Sequence, residues 1–185
     1  MEIEILDFIQ TLRTAFGDWF FPLVTKLGNA GIIWIILAVI LLIIPKTRKY
    51  GAIVAIALIA DLILCNGILK NLVARTRPFD VNTAVELLIK KPTDYSFPSG
   101  HTAAAFAAVT GLFLAKQKKL WIPSLVFALI LAFSRLYLYV HYPTDILGGM
   151  VVGIISGCIG YFVVKKIENR KNKNITAPEG ATDGN

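Results

Sequence analysis

Long apolar runs separated by short polar stretches are the main pattern of this chain. A helix that crosses a bilayer needs roughly 20 apolar residues, and five runs approach or reach that length. We place the five spans at about residues 32–44, 52–69, 102–115, 120–139 and 145–164. Pro45 ends the first run and Lys70 ends the second. The pattern therefore predicts an all-α fold, a polytopic membrane helix bundle.

The first residues of the chain follow a different pattern. Residues 3–16 place five apolar side chains on one helical face: Ile5, Phe8, Ile9, Leu12 and Phe16. Polar residues occupy the remaining positions, which predicts an amphipathic helix that lies at the membrane interface. Residues 19–30 leave two alternatives open, an extension of the first span or a sixth span. We therefore expect five to six spans and an N-terminal amphipathic helix.

Composition agrees with a membrane protein. The 185 residues are 56% hydrophobic and 17% charged, and the mean hydropathy is +0.66, above the range of a soluble domain of this length. We expect one membrane domain at residues 1–166 and a polar, disordered cytoplasmic tail at 167–185. The beginning of the chain lacks a basic segment and a small-residue cleavage site, so we expect no removable signal peptide.

The formal net charge of +7 reflects membrane topology. Basic residues cluster in three segments, 46–49, 116–119 and 165–173. The positive-inside rule places such segments in the cytoplasm. They alternate with three other polar clusters, which contain Lys70 and Arg77, His101, and Arg135 with His141. We therefore expect an integral cell-membrane protein whose shared site lies on the outer, non-cytoplasmic face, with membrane lipids and no nucleic acid as partners; protein partners stay unknown.

The outer clusters carry groups that suit an anion. Lys70, Arg77 and Arg135 are cations, and the forked guanidinium donors match phosphate oxygens. The backbone N–H groups after Ser99 begin a helix whose positive end also binds anions. Three nearby cations would repel a divalent metal, so we expect neither a metal nor another cofactor.

The two histidines of the chain, His101 and His141, both fall in these clusters. A single histidine at a membrane interface is more often structural, but finding both in polar clusters favours function. Asp145 follows His141 by four residues and could accept a hydrogen bond from it. An oriented, neutral imidazole that faces a phosphate is a nucleophile.

Other polar residues have simpler interpretations. We interpret Arg75, Lys90 and Lys91 as anchors whose charged ends extend to the interface. Asp61 lies in the middle of the second span, where a hydrogen-bonded structural carboxyl is the expected role and a polar relay the alternative. Glycines at four-residue spacing in the fifth span, Gly149, Gly153 and Gly157, predict a close-packing seam.

Three motifs carry a resemblance to a known family. In chain order they are Lys70-x6-Arg77-Pro78, Pro98-Ser99-Gly100-His101 and Ser134-Arg135-x5-His141-x3-Asp145. Together they resemble the motifs of the type 2 phosphatidic acid phosphatase family, which is related to vanadium haloperoxidases. The resemblance covers about residues 70–145, and no motif position departs from the pattern.

The resemblance implies a role for each motif residue. His141 would attack phosphorus to form a phosphohistidine, and Asp145 would orient it. His101 would protonate the leaving oxygen and later activate water. The remaining motif residues would hold the phosphoryl oxygens: Lys70, Arg77, Ser99, the Gly100 amide and Arg135. The family uses no metal, which agrees with the cation argument.

The sequence therefore predicts a membrane lipid phosphatase that acts on a lipid phosphate or pyrophosphate at the outer face. Isoprenyl pyrophosphate, phosphatidylglycerol phosphate and phosphatidic acid all remain open as substrates. A haloperoxidase that uses vanadate at the same site is disfavoured by burial in lipid. A non-catalytic lipid-phosphate binder or transporter would need only the cations, so the histidines and Asp145 disfavour it. Activity should survive EDTA and show a bell-shaped pH dependence.

Overall fold

The computed structural model describes residues 1–176, with side chains described through residue 173. The regular elements in this part are helices: α1 (Glu2–Thr11), α2 (Ala15–Gly28), α3 (Ile32–Ile43), α4 (Arg48–Asp61), α5 (Lys70–Val73), α6 (Pro78–Val81), α7 (Gly100–Leu114), α8 (Lys118–Tyr137) and α9 (Pro143–Thr176). A π-helix, Leu62–Leu69, joins α4 to α5. The all-α prediction is confirmed.

Four helical segments are long and apolar enough to cross a membrane: Ala15–Ile43, Pro45–Val81, Lys118–Tyr137 and Pro143–Lys173. A shorter apolar helix, α7, lies between the second and third of them. With 15 residues, α7 is about 22 Å long, less than the ~30 Å of a hydrocarbon core. The polytopic membrane architecture is confirmed, with the short third helix predicted for residues 102–115.

Residues 19–30 extend the first membrane segment and do not form a separate span. A short 3-10 turn, Asn29–Gly31, joins α2 to α3. Ala30 and Gly31 have positive φ angles of 50° and 68° there, which kinks the segment. Before the kink α2 packs against α8, and after it α3 packs against α4. The segment predicted for residues 32–44 therefore begins at Ala15.

The N-terminal helix is shorter than predicted and packs two of its apolar residues against the protein. α1 ends at Thr11, and the Thr14 hydroxyl accepts a 3.1 Å hydrogen bond from the Gly17 N–H, which caps α2. Leu6 and Ile9 are buried, whereas four residues of the predicted apolar face are exposed: Ile5, Phe8, Leu12 and Phe16. α1 therefore packs Leu6 and Ile9 on the protein segment after α8, and the exposed apolar residues lie where a lipid-facing side of an amphipathic helix would be.

α7 lies at the centre of the bundle and packs against α4, α8 and α9. Nine of its 15 residues are buried, mostly alanines, so neighbouring backbones approach closely. The glycine seam of α9 faces it. A Cβ atom on Gly149 would lie 2.7 Å from the carbonyl oxygen of Ser99, and one on Gly157 would lie 2.7 Å from that of Ala107. The close-packing seam is confirmed, and it sets the start of α7 against the start of α9.

α9 continues well beyond the predicted end of the fifth span at residue 164. It stays helical to Thr176, so α9 extends into the stretch from residue 167 where we expected a polar, disordered tail. This stretch is rich in Lys, Arg and Glu, whose unbranched side chains lose little freedom in a helix. Glu168 Oε1 also lies 3.9 Å from Lys49 Nζ at the start of α4. The rest of the expected tail, 177–185, lies outside the described residues.

Candidate active site

Six of the predicted site residues line one cavity with a volume of about 1080 Å³: Lys70, Arg77, Gly100, His101, Arg135 and His141. These residues come from the start of α5, the loop after it, the start of α7, the end of α8 and the loop that follows. The structure thus brings residues of all three motifs together. Ser99 and Asp145 are fully buried and lie behind the cavity wall.

The π-helix turns Lys70 toward the cavity. Asp61 and Lys70 are nine residues apart, which is two and a half turns of an α-helix and would place them on opposite faces. The wider turns of the π-helix bring both to the cavity, with Asn66 between them. Asp61 is 4% exposed, and its Oδ1 has no hydrogen-bond partner among the described residues. The hydrogen-bonded structural role expected for this carboxyl is therefore not seen for Oδ1.

A carboxylate from the loop before α7 holds two of the cavity cations. Asp94 forms ion pairs with Lys70 and with Arg77, the second at 2.6 Å. Arg77 Nε also donates a 2.8 Å hydrogen bond to the backbone oxygen of Asp94. Partial burial would raise the pKa of Asp94, but the hydrogen bonds and charges of Lys70 and Arg77 together outweigh it and lower this pKa to about 2. Asp94 is therefore an anion that faces the cavity cations.

Arg77 joins this loop to the segment after α8. Its Nη1 donates a 2.7 Å hydrogen bond to the carbonyl oxygen of Val140 and lies 3.4 Å from His141 Nε2. A guanidinium has only donors, so Nε2 is the acceptor of this contact. The first and third motifs therefore meet at the ring of His141.

His141 is buried with its two ring nitrogens in different surroundings. Nδ1 faces Asp145 Oδ2 at 3.4 Å, which favours the tautomer with a proton on Nδ1 and a lone pair on Nε2. Burial lowers the pKa of His141 most, and although the hydrogen bond to Asp145 opposes it, the charges of Arg135 and Arg77 lower it further, to about 3. His141 is therefore a neutral, oriented imidazole.

Asp145 is held by more than the imidazole. Its Oδ2 accepts a hydrogen bond from the Ser96 hydroxyl at 2.5 Å and one from the Tyr142 N–H at 2.9 Å. Its backbone oxygen accepts from the Ser99 N–H at 3.0 Å. These bonds connect the loop before α7 with the start of α9.

His101 lies in the first turn of α7, next to the kink of the first membrane segment. Its Nε2 is 3.0 Å from Asn29 Oδ1. An amide oxygen only accepts hydrogen bonds, so Nε2 carries the proton in this contact. His101 therefore presents a donor on the side of the cavity formed by the kink.

Arg135 has an unused donor beside the cavity. It is 3% exposed and donates a hydrogen bond to the Thr25 hydroxyl. Its Nε has no partner among the described residues. A buried guanidinium with a free donor suits an anionic ligand, because an unpaired buried donor is costly.

Ser99 is the predicted residue that the structure does not bring to the cavity. Its hydroxyl accepts a 3.0 Å hydrogen bond from the Thr102 hydroxyl. Its backbone N–H binds Asp145, so it ties α7 to α9. A direct contact between the Ser99 hydroxyl and a ligand stays a prediction, whereas Gly100 does form part of the wall.

Sequence reasoning missed several residues of this region. Arg75 was interpreted as an interface anchor, but it lies 2.7 Å from Asp145 Oδ1, and so that interpretation was wrong. Its position within the first motif, two residues before Arg77, was the available signal. Asp94 and Ser96 lie in the short stretch of the chain before Pro98, the first residue of the second motif. Nothing in the local sequence pointed to Asn29 or Thr25, because only the kink between α2 and α3 brings them near.

One part of the cavity wall is apolar and is formed by α3, α4 and the start of the π-helix. Its lining there consists of aliphatic side chains: Ile35, Ala38, Val39, Leu42, Ala55, Leu58, Ile59 and Leu62. Lys26, Lys90 and Lys91 line other parts of the same cavity. The cavity thus combines a cationic region with an aliphatic groove.

Known proteins resemble this chain in sequence and in fold. The family model described as the PAP2 superfamily matches residues 47–169. An undecaprenyl-diphosphatase of Sulfolobus acidocaldarius is 32% identical over 151 residues, which cover 82% of this chain and 72% of that protein. The undecaprenyl-diphosphatase BcrC of Bacillus subtilis is 34% identical over 159 residues, which cover 85% of this chain and 81% of BcrC.

Two solved structures have the same fold. The crystal structure of LpxE from Aquifex aeolicus matches with a TM-score of 0.74 and 29% identity, covering 86% of this chain and 93% of LpxE. A transmembrane PAP2-type phosphatidylglycerolphosphate phosphatase from Bacillus subtilis matches with a TM-score of 0.70 and 28% identity, covering 91% of this chain and 85% of that protein. With the family model spanning all three motifs, the chain belongs to the PAP2 superfamily, as an integral membrane enzyme of its phosphatase class.

Proposed function

We propose that this enzyme removes phosphate from a lipid phosphate or pyrophosphate at the outer membrane face, through a phosphohistidine on His141. One observation carries the proposal: a single cavity brings His141 and His101 together with Lys70, Arg77 and Arg135. The cations would stabilise the negative charge on the equatorial oxygens of the phosphoryl group during its transfer. The reaction needs no metal in this proposal, because the protein's own cations supply the positive charge.

In the first step, His141 Nε2 forms a bond to phosphorus while the bond between phosphorus and the leaving oxygen breaks. His101 donates its proton to that oxygen, which stays on the lipid. In the second step, His101 takes a proton from water, the water oxygen bonds to phosphorus, and the bond to Nε2 breaks. Inorganic phosphate leaves, and both imidazoles return to their starting states.

The aliphatic groove between α3 and α4 supports a lipid as substrate. Its side chains would hold an acyl or prenyl tail while the headgroup reaches the cations. The relatives are named for undecaprenyl diphosphate, phosphatidylglycerophosphate and lipid A. Their names support a lipid phosphate in general and leave the headgroup open.

The positions of the basic segments support an outer-face site. Lys49 contacts Glu168, which places the start of α4 and the end of α9 at the same end of the bundle. The polar residues of the cavity, such as Asp61 and His141, lie at the opposite ends of these helices, near the end of α4 and the start of α9. Because basic segments face the cytoplasm, the cavity would open on the other side.

A phosphate-release assay on a panel of lipid phosphates and pyrophosphates tests the proposal. Purified full-length chain in detergent should release inorganic phosphate from at least one of them in the presence of EDTA. His141→Ala should lower the rate by a factor of at least about 10³ and form no acid-labile phosphoprotein. Lys46→Ala, at the opposite end of the bundle, serves as the matched control.

Three outcomes would count against the proposal. Strict dependence on a divalent metal would contradict the cation-only mechanism. Binding of lipid phosphates without release of phosphate would instead favour the lipid-phosphate binder or transporter. Halide oxidation by the chain loaded with vanadate would favour the haloperoxidase alternative.

A further inference from the structure

Arg75 makes a dense set of polar contacts just outside the cavity. Its Nη1 lies 2.7 Å from Asp145 Oδ1 and 2.6 Å from the Thr144 hydroxyl oxygen, and its Nη2 lies 2.5 Å from Glu2 Oε2. The guanidinium also lies over the Tyr142 ring, 3.9 Å from its centroid. Arg75 is not among the residues that line the cavity.

These contacts leave Arg75 as the counter-ion of a buried carboxylate. Asp145 is 0% exposed. Its Oδ2 binds Ser96 and Tyr142 and faces His141, while Oδ1 has Arg75 as its hydrogen-bond partner among the described residues. A buried carboxylate that loses its cation is strongly destabilised, and it turns or takes up a proton to relieve the cost.

The N-terminal helix holds Arg75 from the other side. Glu2 Oε2 binds Arg75, while Oε1 accepts hydrogen bonds from the Thr144 N–H at 3.0 Å and the Thr144 hydroxyl at 2.7 Å. Thr144 lies in the first turn of α9, directly before Asp145. Glu2 therefore caps the helix that carries Asp145 and orients the guanidinium that pairs with it.

We propose that Arg75 is a positioning residue that fixes the Asp145 carboxylate against His141 Nδ1, and that Glu2 of α1 holds Arg75 in place. The proposal deepens the proposed function and rests on it, because it assigns a role in the activation of the same nucleophile. It also gives α1 a task in the active site beyond contact with the membrane.

The proposal separates turnover from binding. Arg75 acts through Asp145 and does not touch the cavity, so Arg75→Ala should lower kcat about 10–100-fold while KM stays within about threefold. Arg75→Lys keeps a cation that reaches one partner, so its kcat should be several-fold above that of Arg75→Ala. Glu2→Gln keeps the pair of Arg75 with Asp145 and should lower kcat less than Arg75→Ala does.

Nitrogen NMR gives a readout that does not depend on turnover. The chain has two histidines, so untagged protein labelled with ¹⁵N-histidine shows two imidazoles, which His101→Asn assigns. In wild type, the His141 shifts should correspond to a single tautomer with the proton on Nδ1. In Arg75→Ala, the His141 shifts should move toward values averaged over the two neutral tautomers. Arg48→Ala, at the opposite end of the bundle, is the matched control and should leave the shifts and kcat unchanged.

The outcomes separate this proposal from the proposed function. Unchanged His141 shifts in Arg75→Ala, a kcat within twofold of wild type, or a rise in KM alone would overturn the positioning role. If Arg75→Ala does not fold, the same measurements on Arg75→Lys and Glu2→Gln test the positioning role. Unchanged His141 shifts in both variants would overturn that role. If wild type hydrolyses no lipid phosphate, the proposed function fails, and the NMR series still decides whether Arg75 positions the pair.

Discussion

At the scale of single residues, the arrangement of charges around Asp94 is the main difference from the sequence expectation. Lys70 and Arg77 were expected to hold phosphoryl oxygens, and in the structure both are paired with the Asp94 carboxylate. A phosphate that binds these cations must share them with Asp94 or displace it. We therefore expect Asp94 to lower the affinity of the cationic region for anions.

Neutralising this carboxylate should strengthen anion binding. Asp94→Asn keeps the backbone oxygen that accepts from Arg77 but removes the charge that competes for Lys70. We expect the inhibition constant of inorganic phosphate to fall about 3–10-fold, the effect of one nearby charge at a partly exposed site. Competitive inhibition of lipid phosphate hydrolysis measures this. Glu168→Gln, which removes an exposed carboxylate near Lys49 at the opposite end of the bundle, should not change it, and weaker inhibition in Asp94→Asn would contradict the prediction.

The acid side of the pH profile depends on His141. Its pKa is lowered to about 3, chiefly by burial and further by Arg135 and Arg77, against the opposing Asp145 hydrogen bond. Protonated His141 cannot attack phosphorus, and the lowered pKa keeps it neutral above about pH 4. We expect kcat/KM, corrected for ionisation of the substrate, to keep its acid limb below about pH 4. A limb near pH 6.5, the value of an unperturbed histidine, would contradict this assignment.

At the scale of elements, the contact between α7 and α9 sets the positions of the second and third motifs. A Cβ atom on Gly153 would lie 2.7 Å from the Cβ of Phe106 and 3.0 Å from the Ala107 nitrogen. Because this contact starts at Ser99 and Gly149, a shift of α9 along α7 would move Asp145 away from the segment that binds it. Helix packing and site geometry are therefore coupled here.

A larger residue in this seam should destabilise the protein. We expect Gly153→Val to cost about 2 kcal/mol through overpacking and to lower Tm by about 4–8 °C in a chain of this size. Thermal unfolding in detergent checks this. Ile154→Val, next to it on an exposed surface of the same helix, is the control and should change Tm by less than about 2 °C. An unchanged Tm in Gly153→Val would contradict the close contact.

At the scale of the whole molecule, the helix ends divide into two groups. The ends of the π-helix and α8 and the starts of α7 and α9 surround the cavity, and the basic segments lie at the other ends. This separation follows from alternating helix directions and agrees with the loop charges. The N-terminal helix α1 belongs to the cavity end, through its contacts with Arg75 and Thr144.

Labelling of single cysteines can test the orientation. In a background without Cys65 and Cys158, Glu86→Cys lies in the exposed loop before α7, and Lys118→Cys lies at the exposed start of α8, in the basic segment 116–119. A membrane-impermeant maleimide added to intact cells should label the first and should label the second only after permeabilisation. The reverse pattern would place the cavity in the cytoplasm. Activity of each variant provides the control for folding.

The sequence alone predicted the membrane helices of this protein and most of the residues that line its cavity. Apolar runs predicted the helices, because a membrane leaves the backbone no other way to satisfy its hydrogen bonds. Motif residues could be recognised because phosphate chemistry requires particular side chains at fixed spacing. Six of the eight predicted site residues line the cavity, and their roles in catalysis stay predictions.

Only the tertiary structure decided which polar groups meet. Three features join residues that are not adjacent in sequence: the π-helix that brings Asp61 and Lys70 to one side, the kink that brings Asn29 to His101, and the ion pairs of Arg75 and Asp94. The sequence did not predict these contacts. Hydrophobic periodicity reports which face of a helix avoids water, and it cannot distinguish lipid from protein as the partner of that face. Contacts between residues distant in sequence depend on how the helices pack, so they follow from the whole bundle and not from any one segment.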